Sequence, residues 1–453
     1  MQIDKLRKEY PDFKYNYYQI KETESNIVIK FGFEIVGLEK FEPQITIEKK
    51  EFNFKNLTSK KTQRLVFFLG MVEAISYFKA TCSPNFYIAC GSLTEKQKAW
   101  FSKLYYLGLG EFRYRNNIDI EQKDFVSFIS KGNIEEENLK EDIKIEKGII
   151  IPIGGGKDSN VTMELLKDYK EDTLCFRIGT KEIPLKCAKI AGFSRDKVIE
   201  IERTIDKNLL KLNEEGYLNG HTPFSAIVAF LSYLVAFLLE KKYIALSNED
   251  SANQSNVVGE KINHQYSKTF EFEKDFREFV KENIDTDIEY FSMLRPITEL
   301  QIAMLFSKLK PYHKVFKSCN VGSKKEPWKW CCNCPKCLFV YTILSPFLYK
   351  EELIDVFGED LFEKESLRKT FLELCGFEKT KPFECVGTYE EVRYAISKTI
   401  ENLEAQNEEL PLLLKYYREN FKLVDGNFLK FYNENNFLPK EFDKILRQKI
   451  FGD

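Results

Sequence analysis

The chain has 453 residues, too many for one ordinary compact domain and enough for two or three, each with a core that needs no disulfide. Its 68 basic and 70 acidic residues nearly cancel, which excludes the bulk positive field that recruits a nucleic-acid backbone and favours a small-molecule substrate. The N-terminus lacks a basic stretch, apolar run and small-residue cleavage site, so the 11 cysteines are expected as reduced thiols or metal ligands in the cytoplasm, not as a secreted disulfide framework.

In chain order, residues 28–50 carry β-branched and aromatic residues in short runs punctuated by Gly and Pro, which predicts strands of an α+β module. Helical periodicity over 65–78 and 94–109 predicts two amphipathic helices, the second opened by a Thr94–Gln97 capping box. The charged run 132–147 reads as a hinge and places a first domain at 1–145. From Gly148 the pattern becomes an apolar strand over 149–153, a glycine turn, a helix, and a strand over 172–178. A helix over 225–239 and a strand over 243–246 repeat the cycle, predicting an α/β domain over 146–345 whose parallel sheet is covered on both faces. The most apolar segment, 224–239, spans about 16 residues against the ~20 that a bilayer requires, so a buried helix and no membrane contact are expected. Residues 346–453 place Phe and Leu at helical spacing among charges and predict a helical C-terminal subdomain.

The turn Gly154-Gly155-Gly156-Lys157-Asp158-Ser159 follows a buried strand and precedes a helix expected to open at Ser159 and Asn160. Glycines there let successive N–H groups face one anion, and the helix N-terminus favours the same charge. It is not a Walker A loop, because Lys157 is followed by Asp158 rather than Ser or Thr. Cys319, Cys331, Cys334 and Cys337 run as C-x11-C-x2-C-x2-C, a spacing at which four thiolates close a tetrahedral structural Zn²⁺ site over 319–337; Cys332 is out of phase. Dense polar blocks at 219–223, 247–253 and 263–268 fall after expected strands, where ligands collect in open α/β sheets. They contain His221, Ser247, Asn248, Glu249, His264 and Lys268.

GGGKDS resembles the SGGxDS loop of PP-loop ATPases, which split ATP into AMP and pyrophosphate to adenylate a substrate oxygen; Gly154 stands where that loop has serine. Together with NGHTP, LSNEDSAN, INHQYSKTFEFE and CCNCPKC, and with the segment 77–114, it resembles the UDP-N-acetylmuramoyl-L-alanyl-L-glutamate epimerase (MurL) family over most of 60–345. That resemblance implies a PP-loop (adenine nucleotide alpha hydrolase-like) domain and ATP- and Mg²⁺-dependent inversion of the terminal glutamate of a UDP-N-acetylmuramoyl dipeptide for peptidoglycan synthesis. Gly154, Gly155, Gly156, Lys157, Asp158, Ser159, His221, Ser247 and Asn248 would then bind the nucleotide, and the N-terminal domain is the candidate for the UDP-sugar. Candidate proton-transfer residues are His264, Glu249, Lys268 and Cys82. Asp158 and Glu249 are candidate Mg²⁺ ligands, and Lys157 and Lys268 would neutralise pyrophosphate. Two other readings share these motifs: a 7-cyano-7-deazaguanine synthase-like PP-loop enzyme, and a non-catalytic nucleotide- and zinc-binding regulator.

Overall fold

The protein is described by a computed structural model over residues 3–50, 52–130, 143–256, 262–264, 266–322 and 328–452. Residues 132–142 of the expected hinge lie outside the described residues.

The strands in chain order are β1 (Asp12–Glu22), β2 (Asn26–Ile35), β3 (Glu39–Phe41), β4 (Gln44–Glu48), β5 (Asn85–Ile88), β6 (Ser127–Ser130), β7 (Ile149–Pro152), β8 (Thr173–Ile178), β9 (Val198–Arg203), β10 (Tyr243–Leu246) and β11 (Glu289–Ser292). All belong to one sheet, ordered β11-β10-β7-β8-β9-β4-β2-β1-β5-β6, with β3 paired to β2. From β11 to β9 every pairing is parallel. Between β9 and β1 the strands are antiparallel, and β1, β5 and β6 are parallel again. The parallel sheet expected from the second half is therefore the end of a larger mixed sheet. The seam joining the halves is the antiparallel pair of β4 and β9, in which Ile45 faces Arg203 and Ile47 faces Ile201.

Side chains alternate between two cores with the period of a strand. Ile150, Ile244 and Tyr290 face one core, while Ile149, Ile151, Ala245 and Phe291 face the other. The first core is filled by the helices Phe224–Leu238 and Lys60–Glu73, which pack on each other. Twelve of the fifteen residues of Phe224–Leu238 are buried, which explains its unbroken apolar run. Among the described residues no helix is long and apolar enough to cross a membrane. The second core takes the helices Lys157–Leu165, Glu299–Ser307 and Pro335–Leu344, together with the C-terminal helices Tyr389–Ala405 and Leu412–Asn420.

The helix over 94–109 forms as Glu95–Gly108 with the expected Thr94–Gln97 capping box. That over 65–78 begins earlier, at Lys60, because Ser59 caps it by accepting from the Thr62 N–H, and it breaks at Ala74 before a short turn Ile75–Phe78. The helix expected to open at Ser159 and Asn160 begins instead at Lys157, capped by Gly156 in extended conformation. Lys157 and Asp158 thus belong to its first turn and not to the loop.

Candidate active site

At β7 the order of the parallel strands reverses, with β8 and β9 on one side and β10 and β11 on the other. Such a switch point leaves a crevice at the carboxyl ends of the strands. The glycine loop occupies it. Ile153 N–H donates to the Phe176 carbonyl at 2.9 Å and keeps the loop in line with the sheet. Gly155 then turns with φ +81°, and a Cβ there would lie 2.8 Å from Ile183 Cγ2. Gly154 has no atom within 4 Å of a would-be Cβ, so the mouth of the turn is open. The buried atoms Ser247 Oγ, Glu249 Oε2, Ser251 Oγ and Ser318 Oγ have no hydrogen-bond partner among the described residues. Three of them follow β10, and Ser318 lies against Gly156, its Cβ at 3.6 Å from a would-be glycine Cβ. Buried polar atoms are normally satisfied, so these four, beside an open anion cradle, fit a polar guest such as a nucleotide.

Lys157 is enclosed. Its ammonium is buried and donates to Asp158 Oδ1 and Glu299 Oε2. Burial opposes its charge, but the two carboxylates outweigh burial and hold it protonated. Burial likewise opposes the Asp158 charge, and Lys157, Lys336 and Lys268 overcome it, so that carboxyl is held down. Glu299 is driven up, by burial first and then by the charges of Asp158 and Glu249 against the pull of Lys157. Of the two cations expected to neutralise pyrophosphate, Lys157 is a strut inside the protein, whereas Lys268 and the unforeseen Lys336 direct their fields at Asp158.

Lys268 leads to a second group of side chains. Its Nζ lies 3.5 Å from Cys385 Sγ, and the His264 imidazole acts on the same thiol. His264 Nδ1 lies 2.5 Å from Glu111 Oε2, and the His221 ring packs on the His264 ring with centroids 4.2 Å apart. His221 Nδ1 is 3.7 Å from the same carboxylate oxygen. The helix Gly110–Arg115 supplies Glu111 and fixes it through Arg115 Nε, which donates to Oε1 at 2.5 Å. Lys79 holds the 219–223 turn by donating to the Gly220 carbonyl and to Thr222 Oγ1. The His264 N–H donates to Asn256 Oδ1 at 2.9 Å.

This surrounding sets the protonation states. Burial would lower His264, but the anionic partners Cys385 and Glu111, which accept from the imidazolium, outweigh it and push the imidazole up to about 9. Burial would raise the Cys385 thiol, but Lys268, His264 and Lys336 bring it down to about 6. His221, desolvated and beside the His264 charge, falls to about 3. Cys82, the remaining candidate base, sits in the first hydrophobic core, where burial pushes its thiol up to about 12; it has no part in this group.

One buried pair fixes the loops that carry Glu249 and Lys268. Arg295 and Glu273 meet at 3.0 Å, and the guanidinium also donates to the Glu249 carbonyl at 2.6 Å and to the Lys268 carbonyl at 2.5 Å. Asn248 Nδ2 donates to Ser292 Oγ at 3.1 Å, joining the ends of β10 and β11. Beside the Glu111–His264 contact opens a cavity of about 1400 Å³, lined by Gly110, Arg113, Arg115, Ser255 and Asn263 among others.

The four expected cysteines converge, with Sγ–Sγ distances of 3.8 Å (Cys319–Cys334), 3.7 Å (Cys331–Cys337) and 3.5 Å (Cys334–Cys337). Four sulfurs about 2.3 Å from one Zn²⁺ stand about 3.8 Å apart, so this donor set fits the ion. Cys332, at φ +53°, turns its thiol to the Phe357 carbonyl instead. The segment leading into the knuckle also touches the glycine loop, because the Lys317 N–H donates to the Gly155 carbonyl at 3.0 Å.

Comparison with known proteins covers nearly the whole site. Residues 4–293 match the MurL N-terminal domain and residues 315–422 the MurL C-terminal domain. The first range holds the glycine loop, Glu111, His221, His264 and Lys268; the second holds the knuckle and Cys385. A UDP-N-acetyl-alpha-D-muramoyl-L-alanyl-L-glutamate epimerase of Xanthomonas oryzae pv. oryzae is 32% identical over 375 residues, covering 81% of each chain. Enzymes of the same name from a Micromonospora species and from Salinispora tropica are each 32% identical, covering 80% of each chain in the first case, and 74% of this chain and 72% of the relative in the second.

Proposed function

Because the chain belongs to the MurL family of epimerases, we propose that it inverts the terminal L-glutamate of UDP-N-acetylmuramoyl-L-alanyl-L-glutamate to D-glutamate, with consumption of ATP, for peptidoglycan precursor synthesis. Family membership sets aside the 7-cyano-7-deazaguanine synthase reading. The observation that carries the ATP-dependent reading is the open glycine turn at the switch point, with Ser318 against Gly156 and with orphaned polar atoms of Ser247, Glu249 and Ser251 in the segment after β10.

An α-proton beside a carboxylate is hard to remove because negative charge would develop next to an existing one. ATP supplies an adenylyl group: the carboxylate oxygen attacks the α-phosphorus, pyrophosphate leaves, and the resulting mixed anhydride no longer carries that charge. The α-proton then departs to give an enolate-like anion, a proton returns to the opposite face, and water cleaves the anhydride to release AMP; where the alanyl amide oxygen first displaces AMP to close an oxazolone, the proton leaves that ring instead and water opens it. In this PP-loop reading the N–H groups of 154–159 cradle phosphate, with the side chains of Ser159, Ser247 and Asn248 at its edges. Asp158 and Glu249 would hold the Mg²⁺ that the reaction requires, and Lys268 and Lys336 would offset charge on the departing pyrophosphate. Zn²⁺ at the closed four-thiolate knuckle has a structural role. The 1400 Å³ cavity exceeds a drug-sized site of about 300–1,000 Å³ and has room for a nucleotide-sugar peptide.

Proton NMR in D₂O with ATP, Mg²⁺ and the UDP-muramoyl dipeptide tests this reading. Loss of the glutamate α-proton signal with matched AMP release is expected. AMP release without exchange would redirect the chain to ligase-like chemistry, and neither would favour the regulator.

A further inference from the structure

We propose that Cys385 is a catalytic residue of the epimerisation: its sulfur exchanges the substrate α-proton on one face, with His264, oriented by Glu111, and Lys268 holding it as a thiolate. This inference rests on the epimerase reading above. In the step, the Cα–H bond breaks, an S–H bond forms, and the electron pair passes into the activated carbonyl; a proton delivered to the opposite face completes inversion.

The arrangement is built rather than incidental. Cys385 lies in the link between the helices Arg368–Leu374 and Tyr389–Ala405, and that link is tied down on three sides. The Lys381 N–H donates to the Asn256 carbonyl at 3.0 Å, and Asn256 Nδ2 donates to the Pro382 carbonyl at 3.0 Å. Asn256 also accepts from the His264 N–H, so one side chain registers thiol and imidazole together. Phe383 packs against Tyr114, with centroids 5.5 Å apart, and under the Arg115 guanidinium, which fixes the link to the helix that bears Glu111. Lys336 Nζ donates to the Cys385 carbonyl.

The result is a group Glu111, His264, Lys268 and Cys385 of the kind that activates a thiol: the carboxylate orients the imidazole at 2.5 Å, the Lys268 ammonium lies 3.5 Å from the sulfur, and the imidazole acts on the same sulfur. Cys385 is half-buried, unlike the enclosed Cys82, Cys175, Cys187 and Cys375, so a substrate can reach it. The groups facing it are the ammonium of Lys268, that of Lys336 and the imidazole of His264; His264 in turn faces Glu111, His221 and Glu384. Three cationic groups about one sulfur favour the thiolate at neutral pH. The same lysines also act on Asp158, in the first turn of the helix after the glycine loop, and the helix and loop that carry Glu111 and His264 border the 1400 Å³ cavity through Gly110, Arg115 and Asn263.

Two measurements test the assignment. Cys385→Ala is compared with the unaltered protein for α-proton exchange in D₂O and, separately, for dipeptide-dependent formation of a hydroxamate in the presence of ATP and hydroxylamine. Exchange lowered at least about 100-fold with hydroxamate formation kept within a few-fold supports the proposal. Exchange retained in the variant overturns it. If the unaltered protein forms no hydroxamate and shows no exchange, the epimerase reading itself has failed, a result distinct from either. Should the variant unfold, alkylation of the unaltered protein by iodoacetamide, mapped by peptide mass spectrometry, decides: Cys385 modified at pH 7 at least about 10-fold faster than Cys375, and protected by the dipeptide, supports the assignment, and equal rates overturn it.

Discussion

At the scale of single residues, Lys157 shows how a side chain that reads as a phosphate ligand in sequence can be held between buried carboxylates in space. A lysine after a glycine turn suggests a phosphate ligand, yet its ammonium is enclosed with Asp158 and Glu299. Removing one member of such a group leaves buried charge without compensation, at a cost of about 3–5 kcal/mol. Lys157→Met is therefore expected to lose about that much stability in urea unfolding, and the double variant Lys157→Met/Glu299→Gln to regain part of it. The Cys385–His264 pair makes a pH prediction. The thiol, held at about 6, is ionised above that value, and the imidazole, held at about 9, keeps its charge below it. The profile of kcat/KM should rise through pH 6, remain level, and fall through pH 9. In Glu111→Gln the imidazolium loses an anionic partner, so the alkaline limb should move to lower pH. His264 and Lys268 were legible because they stand in polar blocks after strands. Glu111 and Cys385 were not, since they meet their partners across 153 and 117 residues of sequence, and a solitary acid or thiol has no local signature.

At the scale of elements, the features that could be read in advance are those whose cause is local. The Thr94–Gln97 capping box, the strand–glycine–helix unit and the cysteine knuckle depend on a few consecutive residues, and each forms. β1 gave no such signal, because only Phe13 and Tyr15 of its 11 residues are buried and polar residues interrupt the alternation. Helix starts shifted because Ser59 and Gly156 cap earlier than the apolar periodicity begins. The coupling of knuckle to loop, through Lys317 N–H and the Gly155 carbonyl, was invisible because the partners belong to separate elements. It leads to a prediction: chelation of one Zn²⁺ per chain, measured by elemental analysis, should lower the Tm and raise KM for ATP together. Gly155→Ala tests the loop directly. A left-handed backbone costs a non-glycine residue about 1–2 kcal/mol, and Ile183 Cγ2 stands 2.8 Å from the new methyl group. Nucleotide affinity by calorimetry should fall about tenfold or more.

At the scale of the molecule, the division at residue 145 followed from a change in pattern, strands before it and alternating strands and helices after it. The pattern change is present, but the sheet continues through it. β4 from the first part covers the edge of β9, and the helix Lys60–Glu73 covers the helix Phe224–Leu238. Phe68, on one side of that residue, packs edge-on against Phe279 on the other, with ring centroids 4.9 Å apart, and Arg203 pairs with the buried Glu73 at 2.7 Å. A fragment 146–453 would expose an unpaired strand edge, an apolar helix and a guanidinium without its carboxylate. An open edge and an uncovered apolar face favour association over folding. That fragment is therefore expected to aggregate or to unfold without a cooperative transition, and addition of a 1–130 fragment to restore one. A sharp transition near the Tm of the whole chain would instead make the two parts independent domains. In that case the Glu111–His264–Cys385 group, which draws on both, would be an inter-domain contact formed on closure rather than part of one preformed core.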